Sequence, residues 1–370
     1  MRILWLYGPA AVGKSATAWE VLNQVASTGR VTGYVDIDQL GMSHCDESVD
    51  PGAHRLKAEA LAAVADEFSR HGARTLVVSG VLDLGLMAFY SGVLAPFRPG
   101  FVRLSVDESV LRRRLESRGI YAEAWAEVAD DARSLDRSLV GHPVVDTGTV
   151  TPAEVAARIL ASLDVTLDVT LDDVPDPAGA PDQADSPIDD PAAAVLIGGT
   201  TAVGKSTVGW QAFMAVREQR RTAFVDLRQL GFLGPDGGPV DHALQARSVG
   251  ALWRVFRQHG AELLVMNGPV NRESELALYR RALRGTPLSA LRLVADRAAL
   301  TDRVRARTPG EMAPLAGDRL VGLPESAVEG VAGAAWTAQE SAASVDALDA
   351  LDTTHLAPVR IAGLVVGELL

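Results

Sequence analysis

Gly8-Pro9-Ala10-Ala11-Val12-Gly13-Lys14-Ser15 returns 191 positions later as Gly199-Thr200-Thr201-Ala202-Val203-Gly204-Lys205-Ser206. Both copies spell G-x-x-x-x-G-K-[ST], and each lies between a short apolar run and an amphipathic stretch, the pattern of a strand, a tight turn and a helix. The chemistry explains the spacing. The glycines let the turn point its backbone N–H groups inward around a phosphate, and the following helix begins with its positive dipole end at the same place. The ammonium of Lys14 or Lys205 would then reach the β- and γ-phosphates, and the hydroxyl of Ser15 or Ser206 would ligate Mg²⁺. On this reading Gly8, Ala11, Val12, Gly13, Lys14, Ser15 and Ala16 cradle one nucleotide. Gly199, Ala202, Val203, Gly204, Lys205, Ser206 and Thr207 cradle a second.

Outward from the loops the repetition continues. Val35-Asp36-Ile37-Asp38-Gln39-Leu40-Gly41 matches Val225-Asp226-Leu227-Arg228-Gln229-Leu230-Gly231, and Leu76-Val77-Val78-Ser79-Gly80 matches Leu264-Val265-Met266-Asn267-Gly268. Arg103-Leu104-Ser105-Val106-Asp107 matches Arg292-Leu293-Val294-Ala295-Asp296, and more weakly Val145-Asp146-Thr147 matches Leu351-Asp352-Thr353. Four markers in order at nearly constant offset indicate one unit present twice, with an insertion between about Thr308 and Ala350 in the second copy. Between the units, residues 164–191 hold nine aspartates, several prolines and no lysine or arginine, the composition of an extended linker. The expected domains are therefore 1–163, a linker 164–191, and 192–370.

Within the first unit, strands are predicted near 2–7, 31–36, 74–79, 100–105 and 143–146, with helices near 14–27, 54–71, 107–118, 123–138 and 152–162. Alternation of apolar runs with amphipathic stretches is the signature of parallel strands with crossover helices, so the expected fold class is α/β: two three-layer αβα domains, each on a five-stranded parallel sheet.

Composition narrows the functional classes. With 370 residues, 48% hydrophobic and 22% charged, and a mean hydropathy of +0.12, the chain can bury two cores. A net charge of −12 and a pI near 5.1 argue against nucleic acid or an anionic membrane as the main partner. The single cysteine, Cys45, cannot close an intramolecular disulfide, which fits a reducing cytoplasmic location, and the apolar stretches at both ends are too short to span a bilayer. Lysine usage returns attention to the loops. Against thirty-two arginines there are three lysines, Lys14, Lys57 and Lys205, and two of them stand where a slim ammonium must fit among phosphate oxygens.

With its two loops and the Asp36-Ile37-Asp38-Gln39 segment after the second strand, each unit resembles a P-loop kinase of the nucleoside/nucleotide, shikimate and adenylylsulfate kinase group. Shikimate kinases carry a similar Asp-x-Asp there, and adenylylsulfate kinases Asp-Gly-Asp. The resemblance implies strand order 2-3-1-4-5, ATP with Mg²⁺, and transfer of the γ-phosphate to a hydroxyl of a small molecule. It also implies that Asp36, and Asp226 in the second unit, hold Mg²⁺ through water, and that Asp38 orients or deprotonates the acceptor, the roles of Asp36 and Asp38 being exchangeable. In such kinases a helix after strand four leads into a lid whose arginines close on the phosphates. Arg114 and Arg118 fit that place, with Arg303 and Arg307 as counterparts.

Two departures qualify the resemblance. The second unit has Arg228 where the first has Asp38, and arginine cannot act as a base, although it could bind an anion. Neither unit ends strand three in an acid: the residues are Ser79-Gly80 and Asn267-Gly268, with Asp83 and Asn271 following. The expectation is a kinase whose first half is catalytic. The competing one is a regulatory NTPase that hydrolyses nucleotide slowly and acts through a protein partner, and either allows the two units to pair as an internal pseudo-dimer or the chain to form a homo-oligomer. His54 and Arg55 are further candidates for an anionic acceptor, whereas His44, Cys45 and His71 read as structural.

Overall fold

The computed structural model describes residues 1–117, 124–138, 140–167, 192–309, 316–343 and 348–367. The first half runs β1 (Arg2–Tyr7), α1 (Lys14–Ser27), β2 (Thr32–Asp36), α2 (His54–Arg70), β3 (Thr75–Ser79), α3 (Met87–Val93), β4 (Gly100–Ser105), α4 (Glu108–Ser117), α5 (Trp125–Arg137), β5 (Val144–Asp146) and α6 (Pro152–Leu167). The second runs β6 (Ala193–Gly199), α7 (Lys205–Val216), β7 (Thr222–Asp226), β8 (Phe232–Leu233), α8 (His242–Gln258), β9 (Leu263–Asn267), α9 (Glu273–Ala282), β10 (Leu288–Val294), α10 (Arg297–Arg307), α11 (Glu325–Ala343), β11 (Ala350–Asp352) and α12 (Pro358–Gly367). The short helix α3 is absent from the sequence expectation, because seven residues span too few turns to show a period. The predicted insertion contains α11. Of the acidic segment 164–191, the first residues continue α6 to Leu167 and 168–191 lie outside the described residues.

The chain forms two sheets, in orders β5-β4-β1-β3-β2-β8 and β11-β10-β6-β9-β7. The second is five-stranded and parallel throughout. The first corrects the five-stranded expectation: its sixth strand, β8, comes from the second half and pairs antiparallel to β2, Gly33 opposite Leu233 and Tyr34 opposite Phe232. Two residues are too few to register as a strand in sequence, yet they cover an edge that would otherwise expose unpaired backbone groups. The exchange is mutual. Ser43 bridges Ala223 of β7, with His44 N donating to Thr222 O at 3.0 Å and Phe224 N donating to Met42 O at 2.7 Å.

Alternation along the strands sorts the cores. Leu4 and Leu6 face α1 and α6 in a cluster with Val21, Leu22, Val155 and Ile159, while Ile3, Trp5 and Tyr7 face the other way, toward α2 and α3. That second cluster does not stop at the half: it continues through Leu56, Leu61 and Phe68 into Leu244, Leu252, Phe256 and the β9 residues Leu264 and Met266. The contact is α2 against α8, rimmed by His259 with Glu59 (2.7 Å), Arg247 with Glu67 (3.3 Å) and His71 with Asp241 (2.7 Å). A third cluster lines the outer face of the second sheet beneath α7, α10, α11 and α12.

Candidate functional site

Both loops are wound alike. Gly13 and Gly204 cap α1 and α7 at φ 104° and 101°, a left-handed conformation that glycine enters without a Cβ penalty. Ala11 and Ala202 also sit at positive φ, 60° and 62°, a strain that the surrounding backbone must over-determine. Gly8 and Gly199 let β1 and β6 pass so close to their neighbours that a Cβ would stand 2.5 Å from Leu104 O and 2.7 Å from Leu293 O. Lys14 Nζ donates to Gly8 O and Pro9 O at 2.9 and 2.8 Å, and Lys205 Nζ to Thr200 O at 2.5 Å. Burial around the Lys205 ammonium, with Arg307 adding to the effect against the pull of Asp226, pushes its pKa down to about 8.

At the first residues of each helix, the serine meets the carboxylate that ends the second strand. Ser15 Oγ donates to Asp36 Oδ2 at 3.2 Å, and Ser206 Oγ to Asp226 Oδ2 at 3.1 Å. A hydroxyl beside a carboxylate is a hard-oxygen donor set that fits Mg²⁺. Each carboxylate's other oxygen caps the turn that follows, accepting from Asp38 N or Arg228 N at 3.0 Å. Burial first, then the neighbouring Asp38 charge, raises the Asp36 pKa, while hydrogen bonds from Asp38 N, Ser15 and Ser79 oppose the rise.

Register resolves the missing acid of strand three. Asp36 stands opposite Ser79 and Asp226 opposite Asn267. Ser79 Oγ donates to Asp36 Oδ2 at 3.2 Å, and Asn267 Nδ2 to Asp226 Oδ2 at 2.9 Å. These buried donors steady the strand-two carboxylate from the end of strand three. In the sequence the two positions show only the lack of an acid; the register of β2 with β3 and of β7 with β9 sets them against the carboxylates.

Asp38 is held by Lys57, a residue outside the motifs. Lys57 Nζ lies 3.0 Å from Asp38 Oδ1, with the lysine side chain 15% exposed and the aspartate 47% exposed. The carboxylate is thus anchored at one oxygen and open to solvent. In the second half Arg228 turns away from any such position. Its guanidinium packs over the Phe232 ring at 4.7 Å from the centroid, and Nη2 donates to Gly238 O at 3.3 Å. Nearby, His54 Nδ1 meets Tyr90 OH at 3.2 Å and His242 Nδ1 meets Tyr279 OH at 3.1 Å; burial lowers both histidine pKa values and pushes Tyr90 up to about 12. Because the pair is present in both halves, it reads as a support for α2 and α8. Arg55 is exposed and packs over Phe89. Asp83 Oδ1 accepts from Gly85 N, and Asn271 Nδ2 donates to Pro269 O. Cys45 Sγ contacts Asp50, and burial with that carboxylate pushes its pKa up to about 11.

The arginines after strand four bind protein backbone. Arg114 donates from Nη1 to Val12 O and Thr147 Oγ1, both at 3.1 Å, and from Nη2 to Thr147 O at 2.6 Å. Arg303 does the same with Val203 O, Thr353 Oγ1 and Thr353 O, at 3.1, 3.0 and 2.6 Å. Each guanidinium ties its loop to the residue after the last strand. Arg114 also walls a cavity of 310 Å³ at the outer side of the loop, together with Gly13, Thr17, Thr147 and Pro152. Arg307 pairs with Asp318 at 2.8 Å. Arg118 lies outside the described residues.

No protein-family model matches the chain, and no curated protein matches it either. Solved structures that resemble it include a gluconokinase from Sinorhizobium meliloti 1021, at 18% identity and TM-score 0.33, covering 49% of this chain and 94% of that one. Others are the tunicamycin resistance protein of Deinococcus radiodurans (15%, TM-score 0.33, 48% and 95%) and the shikimate kinase of Acinetobacter baumannii in complex with shikimate (16%, TM-score 0.32, 46% and 96%). Each corresponds in length to about half of the chain. No helix among the described residues is long and apolar enough to cross a membrane.

Proposed function

We propose that the chain is an ATP- and Mg²⁺-dependent phosphotransferase that moves the γ-phosphate to a hydroxyl of a small molecule, built from two copies of one P-loop kinase unit and catalytic in its first half. The observation that carries this reading is Asp38: a carboxylate anchored by Lys57, open to solvent, two residues after the Asp36 that meets Ser15. The second half lacks it. Arg228 occupies the position and is spent on Phe232 and Gly238.

Roles follow from placement. The loop amides and the start of α1 receive the phosphates, and the Lys14 ammonium exchanges its carbonyl partners for β- and γ-phosphate oxygens. Ser15 and Asp36 would hold Mg²⁺, which when bound supplies charge neutralisation at those oxygens. The cavity beside Arg114 and Pro152 lies on the other side of Gly13 and suits the nucleobase. Asp38 accepts the acceptor hydroxyl's proton as its oxygen bonds to the γ-phosphorus and the bond to the β-phosphate oxygen breaks, releasing ADP; the proton then passes to solvent. Because the transition state is loose, orienting the hydroxyl matters more than removing its proton.

The test is ADP release by the intact chain with Mg²⁺ and a panel of hydroxylated metabolites. Metabolite-stimulated release that disappears in Lys14→Ala and survives in Lys205→Ala is expected. Nucleotide binding with slow turnover that no metabolite accelerates would defeat the kinase reading and favour a regulatory NTPase.

A further inference from the structure

The segment that leaves the second half's Asp226 turn does not stay in its own half. Phe232 is fully buried against the first half, its ring 5.0 Å from Trp19 at an interplanar angle of 87° and 6.0 Å from Tyr34. Trp19 is one turn along α1 from Ser15. The Phe232 ring also carries the Arg228 guanidinium, and Arg228 N donates to Asp226 Oδ1. One aromatic ring therefore touches the helix of the first loop and the carboxylate turn of the second.

A second strand of contact runs through the segment after α10. A Cβ on Gly317 would stand 2.6 Å from the Phe232 ring and 3.0 Å from Trp19, so this backbone lies against both rings. Beside it, Asp318 pairs with Arg307, and Arg319 Nη2 donates to Asp236 O at 2.8 Å. Asp236 N in turn donates to Asn23 Oδ1 on α1 at 2.8 Å. Arg307 is close enough to the second loop for its charge to bear on Lys205. The reciprocal exchange places Met42–His44 beside β7, the strand that ends in Asp226.

We propose that the second loop is a regulatory site for Mg-nucleotide, and that its occupancy tightens binding at the first loop through Phe232 and the 316–320 segment packed on Trp19. This rests on the reading that both loops bind nucleotide. The sign follows from ordering: a nucleotide at either loop fixes the start of its helix and the turn after its second strand, so the shared ring is already held when the other ligand arrives. Linkage makes the effect reciprocal.

The experiment is calorimetric titration of the full chain with MgADP, for the wild type, Lys14→Ala, Lys205→Ala, Phe232→Leu and Trp19→Phe. Expected are two nucleotides per wild-type chain, with each loop binding about fivefold or more tighter when the other is filled than in the single-lysine variant, by the same factor at both loops. Phe232→Leu and Trp19→Phe, altering the contact from opposite sides, are expected to reduce that factor toward one while keeping two nucleotides per chain. Melting curves check that both stay folded. Two nucleotides bound with affinities that do not depend on each other, or that weaken each other, would overturn the coupling alone. One nucleotide per wild-type chain would overturn the two-site reading and the coupling with it.

Discussion

Lys57 reaches Asp38 at 3.0 Å from the fourth residue of α2, and the fourth residue of α8 is Gln245, which accepts a hydrogen bond from Tyr279 OH at 3.2 Å. The first half thus has an anchored carboxylate where the second has Arg228 and a neutral amide committed to the core. If Asp38 orients the acceptor, Asp38→Asn should lower acceptor-dependent turnover by about a hundredfold or more, in the range of general acid–base catalysis. Nucleotide affinity should be unchanged. Full turnover in Asp38→Asn would remove the residue from the mechanism.

Lys57→Met deletes the ammonium but keeps much of the stem against Gly41. The carboxylate then loses its fixed orientation and keeps its chemistry, so kcat should fall by about tenfold, less than for Asp38→Asn. A positioning role also predicts partial rescue in Lys57→Arg, which a purely structural role of the stem would not distinguish from Met. Steady-state kinetics on the three proteins decides the matter.

Arg114→Ala removes the donors to Val12 O and Thr147 O; Val12 O keeps the Thr147 Oγ1 donor at 2.8 Å, while Thr147 O loses its guanidinium partner. The expected cost is about 1–3 kcal/mol, seen as a fall in Tm of several degrees. Nucleotide affinity should fall as well, since the guanidinium also walls the cavity beside the loop. Arg303→Ala, with the same three contacts, should show a comparable loss of stability. An unchanged Tm in both would show that these bonds add nothing to the fold.

The depressed pKa of Lys205 makes a signed prediction. Its folded value, about 8, lies below the ordinary lysine value of 10.5. Between those values the folded state holds fewer protons than the unfolded chain, so this group's contribution to stability increases as pH rises from 8 toward 10.5. Nucleotide binding has the opposite trend, because phosphate requires the ammonium. In Lys14→Ala, binding should take up almost no proton at about pH 6.5 and approach one proton at about pH 9. Titration calorimetry in buffers of different ionisation enthalpy measures this directly, and zero uptake at the higher pH would refute the shift.

The apolar cluster shared by α2 and α8 predicts that the halves unfold together. Scanning calorimetry of the intact chain should give one transition whose calorimetric and van't Hoff enthalpies agree. Two resolved transitions would show that the shared core is too weak to couple them.

The candidate site was legible wherever its chemistry is local. The loop residues and Ser15, Ser206, Asp36 and Asp226 were nameable because G-x-x-x-x-G-K-S dictates its own turn and because a carboxylate ending the second parallel strand must face that turn. Lys57, Ser79 and Asn267 stand out in the sequence without a role: each matters through a partner 19 to 43 residues away, and neither the scarcity of lysine nor the missing acid of strand three says what these side chains touch.

By itself, then, the sequence determined two G-x-x-x-x-G-K-S turns, the alternation of strands and helices around them, and the difference between Asp38 and Arg228. Only the tertiary structure decided that Phe232 leaves its own half to pair with Tyr34, that α2 and α8 share one core, and that Arg114 and Arg303 close on backbone carbonyls of their own loops. The physical reason is one of range. A turn and a helix start are set by the conformational preferences of a few adjacent residues. The edge of β2 accepts whichever strand packing brings to it, and a two-residue strand has no periodicity of its own to announce that it will be the one.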